Sequence, residues 1–104
     1  MAAYFFVDIR KVIDERAMQE YRNRITANVE QFGGTYLVVG GDSEVVEGDW
    51  EPVFPVLVKF QSMEQAKLWY DSEEYRELKE MRLAATNSNG VFLEGIPVEP
   101  EHEC

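Results

Sequence analysis

The feature of this sequence that most limits its fold is the order in which strand-like and helix-like segments follow one another. Four segments are rich in aromatic and β-branched residues and are predicted to be strands. They are Tyr4 to Val12, Thr35 to Val39, Val56 to Phe60 and, after a turn at 87–90, Val91 to Ile96. Apolar residues at helical spacing predict one helix between the first two strands and another between the last two. The order β-α-β-β-α-β predicts an α+β fold of the ferredoxin-like kind, an antiparallel sheet with both helices on one face.

Cap and turn residues support the predicted ends of the helices. Asp14 is placed to cap the first helix, and Gly33-Gly34 ends it, as expected where the chain must adopt a positive φ. Ser62 and Gln65 match a capping box at the start of the second helix. A second N-terminal signal at 71–74 predicts a kink inside that helix.

The length of 104 residues is that of one domain. We predict a single domain over residues 1–96, followed by an acidic, flexible C-terminal tail at 97–104. The N-terminus lacks the cationic region of a signal peptide, and no segment approaches the ~20 apolar residues of a membrane span. The cytoplasm is therefore the expected location, and no membrane partner is expected.

The charge of the chain is strongly negative, with 20 acidic residues against 10 basic ones and a net charge of −10. Binding to nucleic acid requires clustered Lys and Arg to meet the phosphates. No nucleic-acid partner is therefore predicted. The acidic excess favours solubility and identifies no substrate.

Several kinds of reaction chemistry are excluded by where the reactive residues fall. The only cysteine is Cys104 and the only histidine is His102, both in the tail, so histidine-dependent nucleophile pairs and haem or zinc sites in the domain are not expected. The acidic loop at 42–51 does not have the spacing of an EF-hand, and a solvated loop is the favoured interpretation. We predict no metal site and no cofactor.

The predicted sheet carries apolar residues on both of its faces. Side chains alternate along a strand, so Phe5, Val7 and Ile9 are predicted to share the face that packs against the helices. A contiguous apolar patch on the opposite face indicates an interface or a ligand groove. We therefore predict a homodimer in which this face meets its copy, the alternative being a monomer whose loops cover the sheet. The predicted open-face residues are Tyr4, Phe6, Tyr36, Val38 and Phe92.

Three runs of residues resemble one protein family. They are Glu-Val-Val-Glu-Gly-Asp-Trp at 44–50, Lys-Phe-Gln-Ser-Met-Glu-Gln-Ala at 59–66 and Trp-Tyr-Asp-Ser-Glu-Glu-Tyr at 69–75. Together with Arg82 and the closing Leu93-Glu94-Gly95, they resemble the domain-of-unknown-function 1330 family of the dimeric α/β-barrel superfamily. The resemblance implies a ferredoxin-like fold and a homodimer. It implies no activity, because one fold hosts many chemistries.

Aromatic residues and one arginine form the predicted ligand site. Tyr70 and the tryptophan before it point about 100° apart on a helix, so one of them is expected to project towards the loop that carries Trp50. Arg82 lies seven residues after Tyr75, on the same helical face. An arginine beside tyrosines can fix a carboxylate or enolate ligand. The alternative is core packing around a structural pair such as Arg82 with Glu47.

Asp8 is the predicted carboxylate base. It lies on the first strand with Arg10, near Lys59 of the neighbouring strand. Burial of a carboxylate raises its pKa, which would suit a base. Tyr70 is the second candidate for proton transfer. An ion pair across the dimer is the alternative role for Asp8.

The leading hypothesis is a homodimer that binds a small aromatic or carboxylated molecule in a cavity between the sheet and the second helix. One alternative is a cofactor-independent small-molecule enzyme, monooxygenase-like or isomerase-like, that uses Asp8 or Tyr70. Another is an interaction dimer whose cavity is filled by its own side chains. The sequence does not choose among these. The predicted ligand-binding residues are Tyr4, Phe6, Tyr36, Trp50, Tyr70, Tyr75 and Arg82.

Overall fold

The computed structural model describes residues 1–97, and most of the predicted acidic tail lies outside this range. Its elements are β1 (Ala3–Val12), α1 (Glu15–Gln31), β2 (Thr35–Val39), β3 (Pro55–Phe60), α2 (Met63–Tyr70), α3 (Glu73–Ala85) and β4 (Thr86–Glu94). The strands form one sheet in the order β2-β3-β1-β4, and neighbouring strands are antiparallel. The α+β, ferredoxin-like prediction is confirmed.

Side-chain caps begin each helix where the sequence predicts. Asp14 Oδ1 accepts a hydrogen bond from the Ala17 amide at 3.1 Å, and Ser62 Oγ accepts one from the Gln65 amide at 3.0 Å. The Gln65 side chain does not complete a capping box; it donates to the carbonyl of Phe32 at 2.8 Å and ties α2 to the end of α1. Ser72 caps α3. The predicted kink is therefore a break between two helices.

The core lies between the helices and one face of the sheet. Trp69 of α2 stacks on Tyr75 of α3 with ring centroids 4.1 Å apart, and both side chains are buried. The chain passes closely beneath Phe60 at Gly34, where an added Cβ would lie 2.5 Å from Val29 Cγ1. The core residues on the sheet include Phe5, Val7, Ile9, Val56, Val58 and Phe60, so the predicted inner face of β1 is confirmed.

The predicted faces of β2 are wrong at its start because the strand contains a bulge. Tyr36 is paired with Val58, and the next paired residue is Val38, opposite Leu57, so Leu37 has no partner. The extra residue shifts the alternation by one position. Tyr36 therefore points to the helix-covered face, contrary to prediction, while Val38 lies on the open face as predicted.

The predictions for β4 also need correction. Residues 87–90 do not form a turn; they belong to the strand, which begins at Thr86 directly after α3. Phe92 is paired with Phe5, and directly paired residues share a face. Phe92 consequently lies on the helix-covered face, and Val91 and Leu93 lie on the open face. The pairing register of β4 with β1 decides which face Phe92 occupies, and the sequence does not give that register.

The open face of the sheet is still apolar after Tyr36 and Phe92 are assigned to the other face. Val91 and Leu93 of β4 are 47% and 49% exposed, and Val38 of β2 is 37% exposed. Phe6 of β1 lies between them, paired with Val91 on one side and Leu57 on the other. The apolar open face is thus continuous across all four strands.

Candidate functional site

A cavity of about 460 Å³ lies between the sheet and α1. The sequence-based hypothesis placed the cavity between the sheet and the second predicted helix, but that helix contributes only Arg82 to the lining. Met18, Tyr21 and Ile25 of α1 form one wall, and Val7, Ile9 and Val56 of the sheet form the other. The three side chains of α1 are three and four residues apart, so they share one face of the helix. The remaining lining residues are Arg10, Lys11, Val12, Arg22, Thr26, Tyr36, Val39, Val53, Phe54 and Arg82.

Arg82, in the last turn of α3, supplies a buried cation to this cavity. The residue is 3% exposed. One terminal nitrogen donates to Ser88 Oγ at 3.0 Å and the other reaches Tyr75 Oη at 3.5 Å, while Nε has no partner. Among the ion pairs of the described residues, none includes Arg82. The predicted alternative of a pair with Glu47 is therefore not found.

Tyr75 contacts the guanidinium of Arg82, and Tyr21 and Tyr36 line the same cavity. Burial raises the pKa of Tyr21 well above its ordinary value, and the adjacent Tyr75 adds to the effect. Burial likewise raises the pKa of Tyr36, again with a contribution from Tyr75. For Arg82 itself burial acts to lower the pKa, but Tyr75 and Tyr21 outweigh it and the pKa is raised. At neutral pH the group therefore offers a cation and neutral phenols, which are hydrogen-bond donors rather than bases.

The charges around the cavity have one sign. Four basic residues line it, namely Arg10, Lys11, Arg22 and Arg82, and no acidic residue is among the described residues that line it. Arg10 and Arg22 are paired, with Asp8 and Glu15 respectively. A cavity lined by one sign of charge in a chain of net charge −10 attracts anions locally against the charge of the whole.

The predicted ligand residues do not all meet in this cavity. Tyr36 and Arg82 line it, and Tyr75 contacts Arg82 from the adjoining core. Tyr4 and Phe6 occupy positions on the opposite face of the sheet. Trp50 also lies there, with its ring centroid 6.4 Å from that of Phe6. The sheet therefore separates the predicted set into two groups, and the described residues do not bring the two groups into one cavity.

Tyr70 does not line the cavity. Its ring belongs to an aromatic cluster with Phe5, Trp69 and Phe92, and Lys79 Nζ lies 4.2 Å from its centroid. This arrangement corresponds to aromatic core packing with a cation–π contact. The expected projection towards the loop of Trp50 is not observed.

Asp8 is placed as a structural acceptor rather than as a base. It is 1% exposed; Oδ1 accepts from the amides of Val53 at 2.9 Å and Phe54 at 2.8 Å, and Oδ2 accepts from Arg10 at 2.7 Å. Burial acts to raise its pKa, as expected, but the hydrogen bonds from Arg10 and the two amides outweigh it, so the pKa is lowered. The prediction of a base with a raised pKa is therefore wrong.

Tyr21 is a cavity residue that was not among the predicted site residues. It is the one polar member of an otherwise apolar series with Met18, Ile25 and Val29. A buried phenol needs a partner for its hydroxyl. This need is the signal that would have placed Tyr21 beside the polar end of a cavity.

No group of three or more His, Cys, Asp or Glu side chains within residues 1–97 could hold a metal ion. No helix in the same range is both long enough and apolar enough to cross a membrane.

Comparison with protein families gives one match, to a family described as "Domain of unknown function (DUF1330)", over residues 2–96. A comparison with curated proteins finds no match. The family match extends through every strand and helix of the structure, including the residues of the cavity.

Several solved structures share the fold. A protein of unknown function from Rhodopseudomonas palustris is 16% identical, with 93% of this chain and 84% of that chain covered and a TM-score of 0.71. A dimeric ferredoxin-like protein of unknown function from Jannaschia sp. CCS1 is 12% identical, with 91% and 100% covered and a TM-score of 0.71. SnoaB, a cofactor-independent oxygenase from Streptomyces nogalater, is 9% identical, with 95% and 97% covered and a TM-score of 0.66. At these identities the likeness establishes the fold alone.

Proposed function

We propose that this chain, which belongs to the DUF1330 family of domains of unknown function, is a homodimeric protein that binds a small apolar molecule carrying a carboxylate. The observation that carries the proposal is Arg82. Its guanidinium is buried at the wall of a partly open cavity, has no carboxylate partner among the described residues and leaves Nε without a hydrogen bond. A ligand carboxylate in the cavity would satisfy both the charge and the free donor.

The physical reason is the cost of burying an unpaired charge. Taking a charged group out of water costs several kcal/mol unless it is paired and hydrogen-bonded. Neutral phenols and the Ser88 hydroxyl offset only part of that cost. Arginine binds carboxylates through two parallel hydrogen bonds, and such bonds are about twice as strong as neutral ones. An anionic ligand would therefore gain more from this cavity than an equally apolar neutral one.

The rest of the lining sets the expected body of the ligand. A large part of the walls is apolar, with Val7, Ile9, Met18, Ile25 and Val56 contributing. A volume of about 460 Å³ lies within the roughly 300–1,000 Å³ typical of small-molecule sites. We therefore expect an aromatic or branched carboxylate of modest size.

A cofactor-independent enzyme is the second candidate, favoured by the fold shared with the SnoaB oxygenase. The cavity does not favour base catalysis. Burial raises the pKa of Tyr21 and of Tyr36, no Asp or Glu is among the described lining residues, and Asp8 already accepts three hydrogen bonds. A reaction here would need a substrate that ionises readily without a base from the protein.

The dimer is proposed from the open face. Its apolar residues on β1, β2, β3 and β4 remain partly exposed in one chain, and such a patch is typical of an interface. The ferredoxin-like proteins from Jannaschia sp. CCS1 and Bacteroides fragilis are described as dimeric, which supports the proposal of a dimer for this chain.

Binding of 2-naphthoate and its neutral counterpart 2-naphthamide tests the ligand class by isothermal titration calorimetry. We expect the wild-type protein to prefer the carboxylate at least 10-fold, about 1.4 kcal/mol. Arg82→Met should abolish the preference. Arg76→Met, an exposed arginine on the same helix, should leave it intact. A preference that survives in Arg82→Met, or a wild-type preference for the amide, would contradict the proposal.

A further inference from the structure

The mouth of the cavity is formed where the end of β2 meets the segment that precedes β3. Val39, Val53 and Phe54 line the cavity there and are 60%, 57% and 40% exposed. The Phe54 ring lies across Gly40, where an added Cβ would stand 2.2 Å from Phe54 Cε1. Gly40 has a φ of +63°, which also favours glycine. Phe54 is therefore a bulky, partly exposed side chain at this edge of the cavity.

The backbone that carries Phe54 is held by β1. Its carbonyl accepts a hydrogen bond from the Ile9 amide at 3.1 Å. Its own amide and that of Val53 both donate to Asp8 Oδ1, at 2.8 Å and 2.9 Å. Hydrogen bonds to a buried carboxylate are stronger than neutral ones. Asp8 therefore fixes this peptide from a strand position that belongs to the open face.

Arg10 holds the same segment at a second point, nearer to the open face. Arg10 pairs with Asp8 Oδ2 and donates from the same nitrogen to the carbonyl of Glu51 at 2.9 Å. The residue before Glu51 is Trp50, whose ring packs against Phe6 on the open face. Residues 50–54 thus connect the apolar open face to the mouth of the cavity.

We propose that Asp8 is a positioning residue for the binding site, which sets the width of the mouth by fixing Phe54. The mouth then admits flat or compact carboxylates and resists bulkier ones. The ligand class rests on the proposed function above, whereas the control of the mouth by Asp8 and Phe54 does not. An aspartate suits this role because it accepts all three hydrogen bonds. An asparagine would present its NH₂ group to Arg10 or to the two amides, so one side of the attachment would be lost.

The nitroxide TEMPOL tests the mouth without a ligand. It increases the NMR relaxation of the methionine methyl groups that it can approach, and this relaxation is the quantity measured. Met18 lies inside the cavity and is 2% exposed, whereas Met63, on α2, does not line it. We expect the relaxation of the Met18 methyl to rise at least threefold in Phe54→Ala and by a smaller measurable factor in Asp8→Asn. Met63 should not change, and neither should Met18 in Asp49→Asn, an exposed aspartate of the preceding loop.

Two results would overturn the proposal. One is a Met18 signal that neither Phe54→Ala nor Asp8→Asn alters. The other is a parallel rise at Met18 and Met63, which would mean that the substitutions loosen the whole domain rather than the mouth.

Ligand selectivity gives a second measurement. The ratio of the dissociation constants of 9-anthracenecarboxylate and benzoate should fall about 10-fold in Phe54→Ala and severalfold in Asp8→Asn, with Arg82 still present in both. An unchanged ratio in both variants would remove the selectivity role of these residues. A wild-type protein that binds neither compound would count against the proposed ligand class, while the Met18 measurement would still decide whether Asp8 controls the mouth.

Discussion

The two faces of the sheet are incomplete in opposite ways. The helix-covered face encloses a cation, Arg82, that no carboxylate of the described residues meets, whereas the open face presents Val91 and Leu93 to water. A charge tends to stay in water and an apolar surface tends to leave it. In the single chain the charge is buried and the apolar surface is exposed, which runs against both tendencies. This difference is the basis of the two proposals, an anionic ligand for the helix-covered face and a second protein surface for the open face.

The largest expected effect is on the open face. Leu93→Glu would place a charge in the proposed dimer interface, and we expect the dimer dissociation constant to rise at least 100-fold, about 2.7 kcal/mol, in sedimentation experiments. Leu83→Glu is the matched control, since Leu83 is 53% exposed on α3 and Leu93 is 49% exposed. Equal dimerisation of both variants would mean that the open face is not the interface.

The next effect concerns Asp8, which connects the two faces. Because its pKa is lowered in the folded protein, its contribution to stability is fully present above the ordinary value of 3.8 and is lost as the pH falls through the lower, folded value. We expect Asp8→Asn to lower the free energy of unfolding by about 2 kcal/mol at pH 7. In urea titrations the difference from wild type should persist at pH 5 and shrink below pH 4. A difference independent of pH would show that the charge of Asp8 does not contribute.

The smallest effect is expected on the helix-covered face. Replacing a buried unpaired cation with a side chain of similar length often leaves stability unchanged or raises it. We expect Arg82→Met to be as stable as wild type or up to about 1 kcal/mol more stable in urea unfolding without ligand, although it should lose carboxylate binding. A loss of more than about 2 kcal/mol would indicate that Arg82 is retained for structure, and the two faces would then not differ in the way described.

The structure brings together only some of the residues predicted for the site. Tyr36 and Arg82 line the cavity together, but Tyr36 was assigned to the opposite face because the bulge at Leu37 leaves no clear mark in the sequence. Trp50 and Phe6 contact each other on the open face, away from Arg82. The raised pKa was predicted for Asp8 from burial alone. The two amides that donate hydrogen bonds to Asp8 are 45 and 46 residues away, and its neighbours in sequence do not reveal them.

The sequence by itself determined the order of the elements, the caps at Asp14, Ser62 and Ser72, and the inner face of β1. These features depend on repeats of two or about 3.6 residues and on hydrogen bonds three residues apart, so neighbouring positions specify them. The tertiary structure decided the faces of Tyr36 and Phe92, the placement of Tyr21 and Arg82 in one cavity, and the direction of the pKa shift of Asp8. Strand register and burial depend on contacts between residues far apart in the chain, and a shift of one residue moves a side chain to the other face of the sheet.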